Sequence, residues 1–243
     1  MKNKLDKLVR QYETIDFIKS DPIRIPHRYN EKTEVEISAF IASLFAFGRR
    51  EMFLNKLEYL FSLSDSPLNL IQDYQKLKLD NFLYRFIKSP DLIELLRILN
   101  KLYFIDKSSL EELFSHDKNR LSYVTNYFYN NCKCSDSIGF CFMFARPENG
   151  GAMKRLNMFL RWMIRKSDVD FGIWNCIKPS DLLIPLDTHV ARISREFGLL
   201  KRKQNDYKSV MELTEKLKEF DPNDPVKYDF ALFGLGVSEK SSV

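Results

Sequence analysis

Apolar residues recur at three- and four-residue spacing along most of the chain, and runs that alternate apolar with polar residues are scarce. This spacing places apolar side chains on one face of a helix, so the pattern predicts an all-α fold with short connections. The predicted helices cover residues 3–19, 34–48, 50–63, 67–76, 79–88, 90–105, 108–115, 117–131, 135–145, 152–166, 188–197, 206–219 and 225–235.

Two segments refine this pattern. Ala39–Phe47 is apolar almost all round, which is typical of a helix buried at the centre of a lobe. Asp21–Tyr29 holds two prolines and is predicted to be an extended connection, because proline disrupts an α-helix. With 243 residues the chain can bury a full core, as one large domain or as two small lobes.

The net charge of +5 is mild, but its distribution is uneven. Residues 146–203 hold 12 Lys and Arg against 6 Asp and Glu, whereas residues 204–243 hold 5 against 8. A basic segment can contact a polyanion such as nucleic acid, although solvated helix surfaces often have the same composition.

Other classes of protein are not indicated. The polar N-terminus has no apolar signal region, and no apolar stretch is long enough to cross a membrane. The cysteines lack the spacing of a metal site, so we expect reduced thiols and no bound metal. We also expect that the protein needs no cofactor and is cytoplasmic, and that it is associated with the nucleoid if it is bacterial. These cysteines are Cys132, Cys134, Cys141 and Cys176.

Candidate chemistry is concentrated in residues 146–189. Lys154 is predicted to lie in the first turn of a helix, where the helix dipole disfavours an ammonium and favours a nucleophilic amine. A solvated lysine or a simple phosphate contact is the alternative. Asp187 precedes Thr-His-Val-Ala-Arg and is predicted to cap a helix, a role compatible with catalysis because capping fixes the carboxylate.

A glycine turn precedes Lys154. Asn149, Gly150 and Gly151 would let backbone N–H groups approach a phosphate closely, or would form an ordinary connection between helices.

Together these segments resemble the helix-hairpin-helix DNA glycosylase superfamily. Residues 184–194 (Ile-Pro-Leu-Asp-Thr-His-Val-Ala-Arg-Ile-Ser) are similar to its aspartate segment, and Pro147–Lys154 is a looser match to its hairpin. The resemblance extends over about residues 34–236. The 33-residue separation of Lys154 and Asp187, and the lack of iron–sulfur ligands, most resemble the archaeal 8-oxoguanine glycosylase branch and its bacterial relatives.

The resemblance implies two helical lobes, about 30–145 and 146–243 plus the N-terminal helix, with a helix-hairpin-helix element and an active-site cleft between them. It implies a monomer without cofactor that acts on double-stranded DNA containing a damaged base. Lys154 and Asp187 would be catalytic in a glycosylase and AP lyase that excises 8-oxoguanine. Residues 149–151 and Arg155 would contact the DNA backbone.

The same resemblance implies further site residues. Asp229 and Phe233, four residues apart on a helix, would bind the extruded base, although a surface aspartate and a core phenylalanine are equally compatible with the pattern. A Ser-Ala-Gln-type segment of the superfamily is replaced by Phe45–Arg50, so Phe47, Arg49 or Arg50 would fill the gap in the DNA stack. A glycosylase for another lesion and a non-catalytic helical DNA-binding protein are the alternatives.

Overall fold

Helices make up most of the chain in the computed structural model, which describes residues 1–79, 81–116 and 118–240. The α-helices are α1 (Lys2–Tyr12), α2 (Ile15–Ser20), α3 (Lys32–Phe45), α4 (Arg50–Phe61), α5 (Pro67–Gln72), α6 (Ser89–Asn100), α7 (Leu110–Ser115), α8 (Arg120–Asn131), α9 (Ile138–Met143), α10 (Lys154–Ile164), α11 (Thr188–Glu196), α12 (Tyr207–Lys218) and α13 (Tyr228–Lys240). The mostly helical fold predicted from the sequence is confirmed.

Shorter elements join these helices. One π-helical turn, Lys101–Ile105, continues α6. The strands β1 (Leu83–Tyr84) and β2 (Ile87–Lys88) pair antiparallel. The 3-10 turns are Pro22–Arg24, Pro26–Arg28, Tyr74–Lys76, Pro147–Asn149, Pro179–Asp181 and Pro225–Lys227.

The chain divides into two units. The central unit is Pro22–Arg146, and the terminal unit combines Met1–Asp21 with Pro147–Val243. Each unit therefore has its own core, and the terminal unit joins both ends of the chain.

The helix predicted over residues 79–88 is wrong, because residues 83–88 form a hairpin. Tyr84 and Ile87 are buried while their neighbours Leu83 and Lys88 are exposed, which is the alternation of a strand. The segment is too short for this alternation to stand out against the helical spacing on either side.

Two further predictions need correction. The helix predicted over residues 3–19 is interrupted between α1 and α2. The connection predicted to be extended over residues 21–29 instead forms two 3-10 turns, each beginning at a proline. Proline excludes the interior of a helix, but its fixed φ suits the first residue of a helical turn.

The core of the central unit surrounds α3. Every residue of Val35–Phe45 is buried, which confirms the prediction of a buried central helix. Phe40 stacks on Phe128 with ring centroids 5.3 Å apart and contacts Phe114 and Phe144. Aromatic packing of this kind adds to the free energy gained by burial.

The core of the terminal unit forms where α13 packs against α1 and α11. Gly234 allows the close approach of α1, because a Cβ atom at this position would overlap the ring of Tyr12. Gly236 likewise faces His189 of α11, whose Nδ1 lies 2.9 Å from the Gly236 carbonyl oxygen. These contacts fix the position of α13, which carries Asp229.

Candidate active site

Lys154 is the first residue of α10, as predicted. The preceding residue, Met153, is buried and has a left-handed backbone with φ of +52°. Left-handed φ values in residues other than glycine store strain and persist only where surrounding contacts impose them. The side chain of Lys154 is half-buried at the positive end of the helix dipole.

The turn before Lys154 is fixed by backbone hydrogen bonds. Gly150 has φ of +78°, its N–H donates to the Pro147 carbonyl at 2.9 Å, and its own carbonyl accepts from Tyr207 at 3.1 Å. Asn149 and Gly150 are exposed, while Gly151 is half-buried. A solvent-facing turn with a left-handed glycine is compatible with phosphate approach and with an ordinary connection.

Asp187 caps α11, which confirms the predicted structural role. Its Oδ1 accepts hydrogen bonds from the N–H groups of His189 and Val190, both at 2.8 Å. The flanking residues Leu186 and Val190 are buried, so the backbone at the cap is anchored on both sides. The carboxylate is therefore held in one orientation beside the positive end of a second helix.

Asp229 is buried on α13, so it is not the surface charge that the sequence pattern also allowed. Burial raises the pKa of Asp229 to about 7; Arg161 opposes this shift, repulsion from Asp187 adds to it, and Lys154 opposes it. Asp187 and Lys154 are therefore both close enough to Asp229 to act on its charge. Lys154, Asp187 and Asp229 are therefore linked electrostatically within the terminal unit.

Arg161 is a buried cation that contacts the carboxyl group of Asp229. It is buried in α10, donates from Nη1 to Asp229 Oδ2, and places Nε 3.3 Å from Asp170 Oδ1. Its guanidinium carbon also lies 4.2 Å from the centre of the Phe230 ring. One turn further along, Arg165 pairs with Asp170 at 2.9 Å, with Asp224 at 2.7 Å and with Glu13.

The spacing of apolar and polar residues does not single out Arg161. The available signal was the pair Arg161 and Arg165, four residues apart in a helix whose other residues after Arg155 are mostly apolar. A charged residue in a buried helix requires a partner, but the partners cannot be identified from spacing alone.

Two other predicted residues of the terminal unit are partly enclosed. Arg155 is half-buried, and desolvation lowers its pKa to about 10. Phe233 is half-buried against the core, with its ring 6.1 Å from that of Phe17 and 6.0 Å from that of His189. Their predicted contacts with DNA backbone and base stay predictions.

The remaining predicted residues belong to the central unit. Phe47 is half-buried, with its ring 4.6 Å from Phe142 and 4.8 Å from Tyr84. Arg49 is exposed, and Arg50 is half-buried at the beginning of α4.

Within residues 1–79, 81–116 and 118–240, the His, Cys, Asp and Glu side chains form no group of three or more suited to hold a metal ion. The same part of the chain has no helix that is both long and apolar enough to span a membrane.

Comparison with known families adds one assignment. A family model described as a protein of unknown function, DUF2400, matches residues 21–238. The chain belongs to the DUF2400 family. The DUF2400 match includes Lys154, Asp187 and Asp229, together with Arg161. No curated protein and no solved structure matches the chain.

We predict that Arg161→Gln lowers the free energy of unfolding by about 3–5 kcal/mol, because it leaves Asp170 and Asp229 buried without their shared cation. The matched control is Arg192→Gln. Arg192 pairs with Glu196 and Glu239 at the surface, where a pair contributes about 0–1 kcal/mol. Urea unfolding of both variants would measure the difference. Equal losses would contradict a structural role for Arg161.

The raised pKa of Asp229 predicts a pH dependence. Between about pH 4 and pH 7 the folded protein holds a proton on Asp229 that the unfolded chain has lost, so raising the pH across this window reduces stability. Asp229→Asn cannot titrate. The stability of the wild type relative to Asp229→Asn should therefore fall by up to about 4 kcal/mol from pH 4 to pH 7, and then level off.

Chemical denaturation of the two proteins at a series of pH values would measure this difference. A difference that does not change with pH would show that Asp229 ionises at its ordinary pKa.

Proposed function

We propose that the protein is a DNA repair enzyme, a glycosylase with AP lyase activity that excises 8-oxoguanine from double-stranded DNA. The observation that supports this proposal most directly is the coupling of Lys154 and Asp187, each at the beginning of a helix, with the buried carboxyl group of Asp229. A lysine amine and a carboxylate of fixed orientation in the same unit suit nucleophilic attack on a sugar carbon.

The first step requires a neutral amine at Lys154. The fixed carboxylate of Asp187 would accept a proton from the Lys154 ammonium. Passing that proton on to the departing base would return Asp187 to its carboxylate form, which would stabilise the positive charge that develops on the sugar. Capping and catalysis make compatible demands on Asp187, since the cap hydrogen bonds hold the side chain in one direction and catalysis uses a carboxylate of fixed direction.

The second step forms a covalent intermediate. C1′ cannot be reached inside the duplex, so the damaged nucleotide is first extruded. Lys154 Nζ forms a bond to C1′, the glycosidic bond breaks, and the base leaves after taking up a proton. Opening of the sugar ring gives a Schiff base. β-Elimination then breaks the C3′–O bond and nicks the strand on the 3′ side.

Recognition of the base is assigned to α13. Asp229 would hydrogen-bond the extruded purine, with its orientation fixed by Arg161, and Phe233 would stack on the ring. With a pKa of about 7, Asp229 can accept a hydrogen bond when ionised and donate one when neutral. The affinity for the lesion should therefore change near neutral pH.

The DNA backbone would lie against the turn before α10. Backbone N–H groups of Asn149–Gly151, with Arg155 nearby, would bind phosphates and position the strand without reading its sequence. We include in the proposal the helix-hairpin-helix element and the cleft that the resemblance implies, and a cytoplasmic monomer that needs no cofactor.

We predict that Lys154→Gln abolishes the covalent adduct trapped by borohydride on a duplex with 8-oxoguanine opposite cytosine, because the amide cannot form a Schiff base. DNA binding should be retained. Lys178→Gln is the matched control, since Lys178 is an exposed lysine of the same basic segment. Undamaged and abasic duplexes are assayed in parallel.

The outcomes separate the alternatives. Trapping by Lys154→Gln at the wild-type level would exclude Lys154 as nucleophile. A wild-type adduct on the abasic duplex alone would retain the amine chemistry but assign the enzyme to another lesion. Binding without any adduct would favour a non-catalytic DNA-binding protein.

We predict that Asp187→Asn slows base release about 100-fold or more, because asparagine cannot accept the proton or stabilise the sugar cation. Asparagine caps helices nearly as well as aspartate, so stability should change by less than about 1 kcal/mol. Asp206→Asn is the matched control, since Asp206 caps α12 by accepting from Ser209 N–H at 3.0 Å. Single-turnover kinetics would measure both variants. Equal rates for the two would reduce Asp187 to a capping residue.

A further inference from the structure

The central unit, which does not include Lys154 or Asp187, presents an aromatic surface. This surface consists of the loop 46–49, the tip of the β1–β2 hairpin and one side chain of α9, and we call it the hairpin surface. Phe86 at the tip is 45% exposed. Its ring lies 5.3 Å from that of Phe142, which in turn lies 4.6 Å from Phe47.

The hairpin surface is rigid at its base. Tyr84 is buried, stacks on Phe45 with centroids 5.9 Å apart, and donates its hydroxyl hydrogen to the Phe47 carbonyl oxygen. Gly48 has φ of +82°, and a Cβ atom there would lie 2.9 Å from Tyr84 Oη and 3.2 Å from Arg85 Cδ. Only glycine therefore suits this close contact between loop and hairpin.

The tip of the hairpin is strained as well as exposed. Arg85 has a left-handed backbone with φ of +54°, a conformation that costs free energy in residues other than glycine. This geometry places Arg85 and Phe86 next to each other in solvent, with the guanidinium carbon 5.8 Å from the ring centre. A rigid phenylalanine and an arginine are thus presented together.

The charge of the hairpin surface is positive. Residues 46–51 and 83–88 contain four basic side chains and one acidic side chain, Glu51. Arg49, Arg85 and Lys88 are exposed. The neighbouring Asp91 is buried, where it accepts from the Lys88 N–H at 2.8 Å and from the Ser137 hydroxyl. The exposed charges therefore favour an anionic ligand.

We propose that the hairpin surface binds an unpaired nucleobase of a DNA strand together with its flanking phosphate. Phe86, supported by Phe142, stacks on the base, and Arg85 contacts the phosphate. An exposed aromatic ring beside arginine matches the π-face and the charge of one nucleotide, whereas an acidic peptide uses only the charge. The choice of DNA rests on the proposed function, in which Phe47, Arg49 or Arg50 already fills the gap in the DNA stack, and the inference adds the contacts of Phe86 and Arg85.

The test uses a ligand that is independent of base excision. We would measure binding of a fluorescein-labelled single strand of about 12 thymidine nucleotides, a length within the range that single-strand sites occupy, and the quenching of one 2-aminopurine placed in the same sequence. Stacking on an aromatic side chain is worth about 1–3 kcal/mol per base, so Phe86→Ala should weaken binding roughly 5- to 150-fold and remove the protein-induced change in 2-aminopurine fluorescence. Phe86→Trp should restore both.

Two further variants test whether binding depends on charge, and whether any exposed phenylalanine of the unit would bind the strand. Arg85→Gln should weaken binding and reduce the salt dependence by about one phosphate contact. Phe104→Ala is the matched control, because Phe104 is 38% exposed in the same unit but lies on the π-helical turn. It should bind the strand as the wild type does.

Equal binding by Phe86→Ala and Phe104→Ala, with unchanged 2-aminopurine fluorescence, would overturn the proposal. A second result would also overturn the proposal. If a polyglutamate peptide displaces the labelled strand at the same concentration as a thymidine strand of equal charge, the hairpin surface binds an acidic protein instead.

The two proposals can fail separately. If the thymidine strand binds through Phe86 but no adduct is trapped at Lys154, the hairpin surface binds DNA and the glycosylase proposal fails. If the adduct is trapped and Phe86→Ala has no effect on strand binding, the glycosylase proposal holds and the inference about the hairpin surface fails.

Discussion

One buried ion pair determines the geometry of the terminal unit. Arg161 belongs to the helix that begins at Lys154, and its guanidinium binds Asp229 on α13. Removing both charges from water is costly, and the cost is offset only because Arg161 also meets Asp170 and the face of Phe230. The arrangement fixes the last turn of α10 against α13. The proposed base-binding carboxyl group of Asp229 is therefore held by a residue of the same helix that begins at the proposed nucleophile, Lys154.

The carboxyl groups of Asp229 and Asp187 lie in different environments. The charge of Asp229 is coupled to both Asp187 and Lys154, but Asp187 lies at a helix N-terminus with two backbone donors, and Asp229 lies in the interior. Burial raises the pKa of Asp229 to about 7. Two acids with different environments can take different parts in a reaction, and Asp229 is suited to exchange a proton near neutral pH.

Patterns among residues that are close in sequence predict much of the helical fold and part of the candidate site. Helical spacing predicts the long helices, and the cap at Asp187 and the helical start at Lys154 depend on residues within one turn. The hairpin at 83–88 is missed because its alternation covers only six residues between two helical patterns. The Arg161 pairs are missed for another reason, since Asp170 is 9 residues away and Asp229 is 68. Contacts at such separations depend on the packing of whole helices, which spacing does not encode.

The central claim is that Lys154 acts as the nucleophile at C1′ of a damaged nucleotide. The most direct test is to reduce the wild-type protein with borohydride on a duplex containing 8-oxoguanine, digest it, and locate the sugar by mass spectrometry. We predict one modified peptide, with the added mass on Lys154. A modification on another lysine or on the N-terminal amine, or no modified peptide under conditions where the duplex is bound, would contradict the claim.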